Sequence, residues 1–306
     1  MTSEDTNMSA PKPSTRFELR TGISLAADTY GDPSNQLVLF LHGGGQTRHA
    51  WGGAARALAE LGFYTIATDH RGHGDSGWCE KGEYELEVFA HDLLALLEQL
   101  NQKPIIVGAS LGGISALRAE ALSEEHVAKA LVLVDTTPRM EAAGVTRILR
   151  WMLDGLEGFA SLQDAADAIA EYLPHRARRT DLSGLAKNLR LGEDGRYRWH
   201  WDPTMIRSWN PDHWRDPAAA EKEIQSRLDA ASNISIPVLL IRGGLSDVVS
   251  EDTAQEFLKL VPHAEYVDLK DAAHMVAGDR NDAFTSSVAE FILEHFPPVG
   301  ETPNDQ

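Results

Sequence analysis

Three things are scarce in this 306-residue chain, and each scarcity narrows what it does. The first is cysteine. Cys79 is the single one, so no intrachain disulfide forms, as suits a reducing cytosol. Without a CxxC partner there is no cysteine-built metal site, and Cys79 reads as an incidental loop thiol. The second is positive charge. Against 46 acidic residues stand 28 basic ones, for a net charge of −18. Such a field repels phosphate backbones and anionic lipid, so nucleic acid and membrane surfaces are not expected partners; the acidity itself favours solubility. The third is long apolar runs. None approaches the roughly 18 residues that a membrane span requires. The opening stretch has no apolar centre and is no secretory signal. It carries two prolines and reads, over residues 1–14, as a disordered tail; residues 297–306 read the same way.

What remains is rich in pattern. "TRFELRTGISLAADTYG" alternates and turns at Thr21–Gly22, as an antiparallel hairpin would. Leu37 to Leu41 is apolar without alternation, the mark of a strand buried on both faces. The rhythm then repeats: "GFYTIATD", "KPIIVGAS" and "VAKALVLVD" each follow a helical stretch. Strands alternating with helices predict a mostly parallel sheet covered on both faces. From Pro138 to Asn233 the rhythm stops, in helical patches and aromatic turns that hold five of the seven tryptophans, Trp151, Trp199, Trp201, Trp209 and Trp214. It resumes with "IPVLLIRGG", a helix, "AEYVDL" and a closing helix. The expected organisation is an α/β core over residues 15–137 and 234–296, interrupted by a helical insertion over 138–233. Most of its tryptophans should pack, and a few could line a pocket.

One turn carries chemistry. Gly108-Ala109-Ser110-Leu111-Gly112 matches G-x-S-x-G between a buried strand and a helix, the arrangement of a nucleophile elbow. Such a turn pushes the serine hydroxyl into a site, and the following helix directs its positive end there. A serine alcohol needs a base, and the base needs an acid to orient it. His274, on the loop after "AEYVDL", is the expected base, because ligands sit at the C-terminal ends of parallel strands. His91 and His295 lie within helices, His126 near a helix end and His263 before the last strand. The expected acid is Asp247, after the strand that follows the insertion. Asp135, ending "LVLVD", is the alternative. Asp252 reads as a helix cap and Asp271 as a turn former. Backbone amides suit an oxyanion, being fixed in place. Leu111 and Gly44 are the expected donors, with Gly45 next.

The segments "LFLHGGG", "DHRGHGDS", "VGASLGG", "GGLSDVVS" and "AAHMVAGDRNDAF" occur in the order found in cap-bearing members of the α/β-hydrolase fold family, which the chain resembles from about residue 15 to 296. The resemblance implies an eight-stranded sheet with its second strand antiparallel, a helical cap after strand six, and a Ser110–Asp247–His274 triad. It implies that "DHRGHGDS" braces loops, so His73 and Asp75 are structural. Two stretches are similar to epoxide hydrolases and haloalkane dehalogenases, but those enzymes place an aspartate where this chain has Ser110. The expected activity is therefore hydrolysis of a small to medium carboxylic ester through an acyl-enzyme, by a cytoplasmic protein, monomer or homodimer, using neither metal nor organic cofactor. C–C bond hydrolysis, lactone opening, cofactor-free perhydrolysis and a hydrolase-fold ligand receptor are the alternatives.

Overall fold

The computed structural model describes residues 11–174, 182–210, 217–274 and 281–298. Trp214, residues 275–280 of the loop after His274, and the outer parts of both expected tails lie outside the described residues.

Eight strands form one sheet in the order β1-β2-β4-β3-β5-β6-β9-β10. The strands are β1 (Thr15–Glu18), β2 (Ser24–Tyr30), β3 (Leu37–Leu41), β4 (Tyr64–Thr68), β5 (Ile105–Ala109), β6 (Ala130–Val134), β9 (Val238–Gly243) and β10 (Glu265–Leu269). β2 pairs antiparallel with both β1 and β4, and every later neighbour pairs parallel. This is the expected sheet. β3, β5 and β6 are apolar at every position because both faces are covered. Leu37, Leu39 and Leu41 face one layer; Val38 and Phe40 face the other. The first layer holds α2 (Leu86–Leu97), α3 (Leu111–Leu122) and α9 (Glu251–Leu260), through Leu93, Leu117 and Phe257. The second holds α1 (Gly52–Glu60) and the closing helix Asn281–His295, through Leu58, Phe284 and Phe291.

The core begins before residue 15. The Pro11 carbonyl accepts from Arg48 Nη2 at 2.9 Å, and Ser14 Oγ accepts from Thr29 N at 2.9 Å. Those contacts dock residues expected to lie in a disordered tail.

Between β6 and β9 lie α4 (Ala142–Asp154), α5 (Leu162–Tyr172), α6 (Ser183–Ala186), α7 (Pro203–Ser208) and α8 (Pro217–Ser232). The insertion, expected to be helical, also contains strands. β7 (Leu189–Leu191) and β8 (Tyr197–Trp199) form an antiparallel pair, turned at Gly195, whose φ is 77°. Each strand is three residues with an arginine at its centre, so no aliphatic run announces it. The tryptophans here mostly pack. Trp199 stacks on Trp201 with centroids 5.4 Å apart, and Trp151 stacks on Tyr172 at 4.7 Å.

This part of the insertion is fastened to the "DHRGHGDS" loop through its backbone. Gly74 N donates to His200 O at 2.8 Å, and Asp202 N donates to Gly72 O at 2.7 Å. The Asp202 carboxylate then serves two elements. Its Oδ1 caps α7 at Thr204 N, and its Oδ2 accepts from the buried Tyr84 hydroxyl at 2.5 Å. Asp202→Ala removes a cap and strands a buried hydroxyl, so urea denaturation should show a loss of about 2–4 kcal/mol. In a Tyr84→Phe background the same substitution should cost clearly less, because there is then no hydroxyl for it to strand.

Candidate active site

Adjacent parallel strands bring the chemistry together. In the parallel register Ala109 of β5 lies beside Val134 of β6. The next residues are Ser110 and Asp135, and Ser110 N donates to Val134 O at 3.1 Å. Among the described residues these two are the non-glycine positions with positive φ, 45° at Ser110 and 48° at Asp135. Such backbone conformations cost about 1–3 kcal/mol each and persist only where the surroundings enforce them. At Ser110 the enforcement is the close approach of α3. A Cβ on Gly112 would lie 2.3 Å from the Leu41 carbonyl oxygen, so only glycine lets the helix start so near β3.

Asp135 is wholly buried and fully partnered. Its N donates to Ile241 O at 2.7 Å, which ties it to β9. Its Oδ1 accepts from Gly243 N at 2.9 Å; its Oδ2 accepts from Ser246 Oγ at 2.6 Å and lies 2.6 Å from His274 Nδ1. An ionised carboxylate accepts only, so His274 carries its proton on Nδ1 and turns Nε2 away from Asp135. β10 delivers His274, and a Cβ on Gly243 would lie 2.4 Å from Ala273 O, so glycine again permits the approach.

The structure places the expected acid, Asp247, apart from His274. Asp247 does not reach His274: it pairs with Arg147 of α4 at 2.6 Å, and both side chains are well exposed. The backbone explains this. The Asp247 carbonyl oxygen packs where a Cβ on Gly144 would be, at 2.0 Å, and Glu141 N donates to Val248 O at 2.8 Å, so the loop is seated against the start of α4. The carboxylate beside His274 is the alternative, Asp135. One sequence signal pointed to it. A carboxylate directly after five buried strand residues is costly unless partnered, whereas one in a polar loop needs no special partner. Asp252 is not the cap of α9 either; Ser250 Oγ accepts from Thr253 N, and Asp252 sits in the first turn. The other histidines have partners elsewhere: His126 with Glu120, His295 with Glu265, His263 with the Ile236 carbonyl and His91 with Glu87.

The glycine loop after β3 sorts its own amides. Gly43 N donates to Gln46 Oε1 at 3.0 Å, and Gly45 N donates to His73 Nε2 at 3.0 Å. Among the described residues no acceptor is bonded to Gly44 N. Leu111 opens α3, so its N–H has no carbonyl one turn earlier. A Cβ on Gly43 would stand 3.4 Å from Ser110 Cβ, which brings this loop against the serine. Trp209 closes the same side. Its Cζ3 lies 3.5 Å from where a Gly44 Cβ would be, its Nε1 donates to the Tyr84 carbonyl at 2.7 Å, and its ring meets Phe89.

Behind the loop stand three buried histidines. His70 N donates to His42 Nε2 at 3.0 Å, so His42 holds its proton on Nδ1, toward the Gly43 carbonyl. His70 Nε2 donates to the His42 carbonyl. His73 accepts from Gly45 N and donates from Nδ1 to the Arg71 carbonyl at 2.9 Å. All three are neutral in this network. Burial pushes His70 down to about 4 and His73 down to about 3, the second helped by the neighbouring His70. Burial, then His70 and His73, hold His42 well below the usual histidine range. Asp69 braces the next turn, accepting from Arg48 N at 2.6 Å, Arg48 Nη1 and Asp75 N. Burial raises the Asp69 carboxyl, and the Arg48 charge opposes that rise.

The buried histidines predict a pH dependence. Their folded values lie below the unfolded value of about 6.5, so the unfolded chain binds more protons in between, and stability falls as pH falls. The stabilisation is complete above pH ~6.5 and is lost as pH falls toward the folded values of about 4 for His70 and about 3 for His73. The melting temperature should drop over that window, and His73→Gln should flatten the slope, as calorimetry at stepped pH would show.

A family model described as the alpha/beta hydrolase fold matches residues 36–280. An esterase of Mycobacterium tuberculosis is 30% identical over 258 residues, covering 82% of this chain and 80% of its own. A 3-hydroxybutyrate-oligomer hydrolase of Cupriavidus necator is 28% identical over 263 residues, covering 82% of this chain and 86% of its own. Among solved structures, an alpha/beta hydrolase from Novosphingobium aromaticivorans superposes with a TM-score of 0.77 at 24% identity, over 94% of this chain and 99% of that one.

Proposed function

The chain belongs to the α/β-hydrolase fold family, and from that premise we propose that it is a carboxylic ester hydrolase acting through an acyl-enzyme on Ser110, with His274 as base and Asp135 as acid. The observation that carries the reading is the 2.6 Å contact between His274 Nδ1 and a buried carboxylate, on the strand end next to the strained serine. The two curated relatives described above, an esterase and an oligomer hydrolase, agree with it.

In this mechanism Ser110 Oγ attacks the substrate carbonyl carbon and gives its proton to His274 Nε2. The amides of Gly44 and Leu111 hold the resulting oxyanion. The imidazolium, stabilised by Asp135, returns the proton to the leaving alcohol as the C–O bond breaks. Water then attacks the acyl-enzyme by the same route, releasing the acid and restoring Ser110. Each amide donor contributes about 2.7–4 kcal/mol to such a barrier. The segment between β6 and β9 serves as a cap. Trp209 and its neighbours Met152 and Leu111 belong to one apolar cluster, which suits an ester with a small to medium apolar acyl part.

A fluorophosphonate probe should label Ser110 alone, and Ser110→Ala or His274→Ala should abolish both labelling and ester turnover with the circular dichroism unchanged. An unlabelled, folded wild-type protein would overturn the reading in favour of a ligand receptor. Asp135→Asn should lower kcat by roughly 10⁴, while Asp247→Asn, which only frees Arg147, should leave kcat within a factor of a few. The reverse order would return the acid to Asp247. Trp209→Ala should move the preferred p-nitrophenyl ester to longer acyl chains, with Trp209→Phe intermediate; an unchanged chain-length profile would remove Trp209 from the acyl wall.

A further inference from the structure

We infer that Ser246 is a positioning residue of this site: its hydroxyl holds the Asp135 carboxylate in the orientation in which Asp135 meets His274. The inference rests on the proposed hydrolase reading and adds a residue to it.

The hydrogen-bond inventory of one oxygen carries the argument. Ser246 Oγ accepts from Val248 N at 3.1 Å and from Val249 N at 3.2 Å. A hydroxyl has two acceptor lone pairs and one proton. With both lone pairs engaged, the proton goes to the remaining partner, Asp135 Oδ2, at 2.6 Å. That is the same oxygen that lies 2.6 Å from His274 Nδ1. Gly243 N takes the other carboxylate oxygen at 2.9 Å, so the carboxylate plane is held from both ends by the turn that follows β9. Ser246 N in turn donates to Gly243 O at 2.8 Å, which fixes the turn on which the hydroxyl is mounted. A hydroxyl loosely placed near the acid would have a choice of rotamers; here two amides remove that choice.

The placement also has a chemical consequence. A buried carboxylate with a single donor on the shared oxygen could rotate about its Cβ–Cγ bond and offer His274 either oxygen. Two donors converging on Oδ2, opposed by the Gly243 amide on Oδ1, remove that freedom. Orientation of the imidazole then passes from the β9 turn through Ser246 to Asp135, with no contact between Ser246 and substrate.

The experiment compares Ser246→Ala, Ser246→Cys and Ser246→Thr in the full-length chain. Ser246→Ala should lower kcat and the fluorophosphonate labelling rate by about tenfold or more, the worth of one hydrogen bond to a charged group, with KM within twofold. Ser246→Thr keeps the hydroxyl and should recover most of the rate. Ser246→Cys preserves the shape with a weaker donor and should fall between, which covers the case in which the alanine variant does not fold. In an Asp135→Asn background Ser246→Ala should cost little further, since the carboxylate it orients is gone. The downfield proton resonance of His274 Nδ1–H, assigned by its loss in His274→Ala, should move in Ser246→Ala. An unmoved resonance with an unchanged labelling rate would overturn the role of Ser246, and so would effects of Ser246→Ala and Asp135→Asn that multiply. Failure of the wild-type protein to label at all would instead overturn the hydrolase reading on which the role depends.

Discussion

A buried carboxylate needs donors, and the arrangement of this site follows from how Asp135 finds them. Its side-chain partners are a strand-end amide, a serine hydroxyl and an imidazole, all from chain segments that follow the insertion. Each unmade bond would leave a charge uncompensated in a dry environment, a cost far above that of an exposed ion pair. The C-terminal ends of β6, β9 and β10 are therefore locked to one another at the point where Ser110 emerges from β5. The positive φ at both Ser110 and Asp135 belongs to the same constraint. Two neighbouring strands turn sharply at the same level, and the strain persists because packing on α3 and bonding to β9 leave no relaxed alternative.

A second buried network supports the opposite side of the site. Arg48 lies fully buried and pairs with Asp69, Asp75 and Asp28, while the three histidines hold the loop after β3 through neutral hydrogen bonds. Asp75 also reaches Arg190 of β7, at 3.1 Å. The brace beneath the glycine loop and the fastening of the insertion are thus one set of contacts. The resemblance assigned "DHRGHGDS" a structural role, and the contacts give that role content: Gly72 and Gly74 bond the insertion backbone, and His73 fixes the amide of Gly45. With the Gly43 and Gly45 amides committed, the Gly44 amide is the one of the three that has no acceptor among the described residues.

Much of the architecture was legible in local pattern. Aliphatic strands without alternation implied a doubly covered sheet because side-chain direction alternates along any strand. The G-x-S-x-G turn implied a strained serine because glycines at such spacing answer to close backbone approach, and Gly112 against the Leu41 carbonyl is that approach. His274 was legible from its place after the last strand. The β7–β8 hairpin was not, since three-residue strands centred on arginine carry no periodic signal. Nor was the docking of Pro11 and Ser14, which depends on a distant arginine and on the edge of β2.

The sequence by itself determined the order of strands and helices, the elbow at Ser110 and the histidine that follows β10. These rest on interactions between near neighbours in the chain: hydrophobic period, turn chemistry and the sterics of glycine. Only the tertiary structure showed which of two carboxylates lies beside His274. Asp135 and Asp247 both follow strands that point at the site, and the one local difference between them, the buried run before Asp135, does not say which group would partner it. The choice came from the seating of α4 on the 247–248 backbone, which turns Asp247 out to Arg147, and from the β6–β9 register, which leaves Asp135 where His274 arrives. Those contacts join residues a hundred or more positions apart, and a buried charge is satisfied by whatever the fold brings to it.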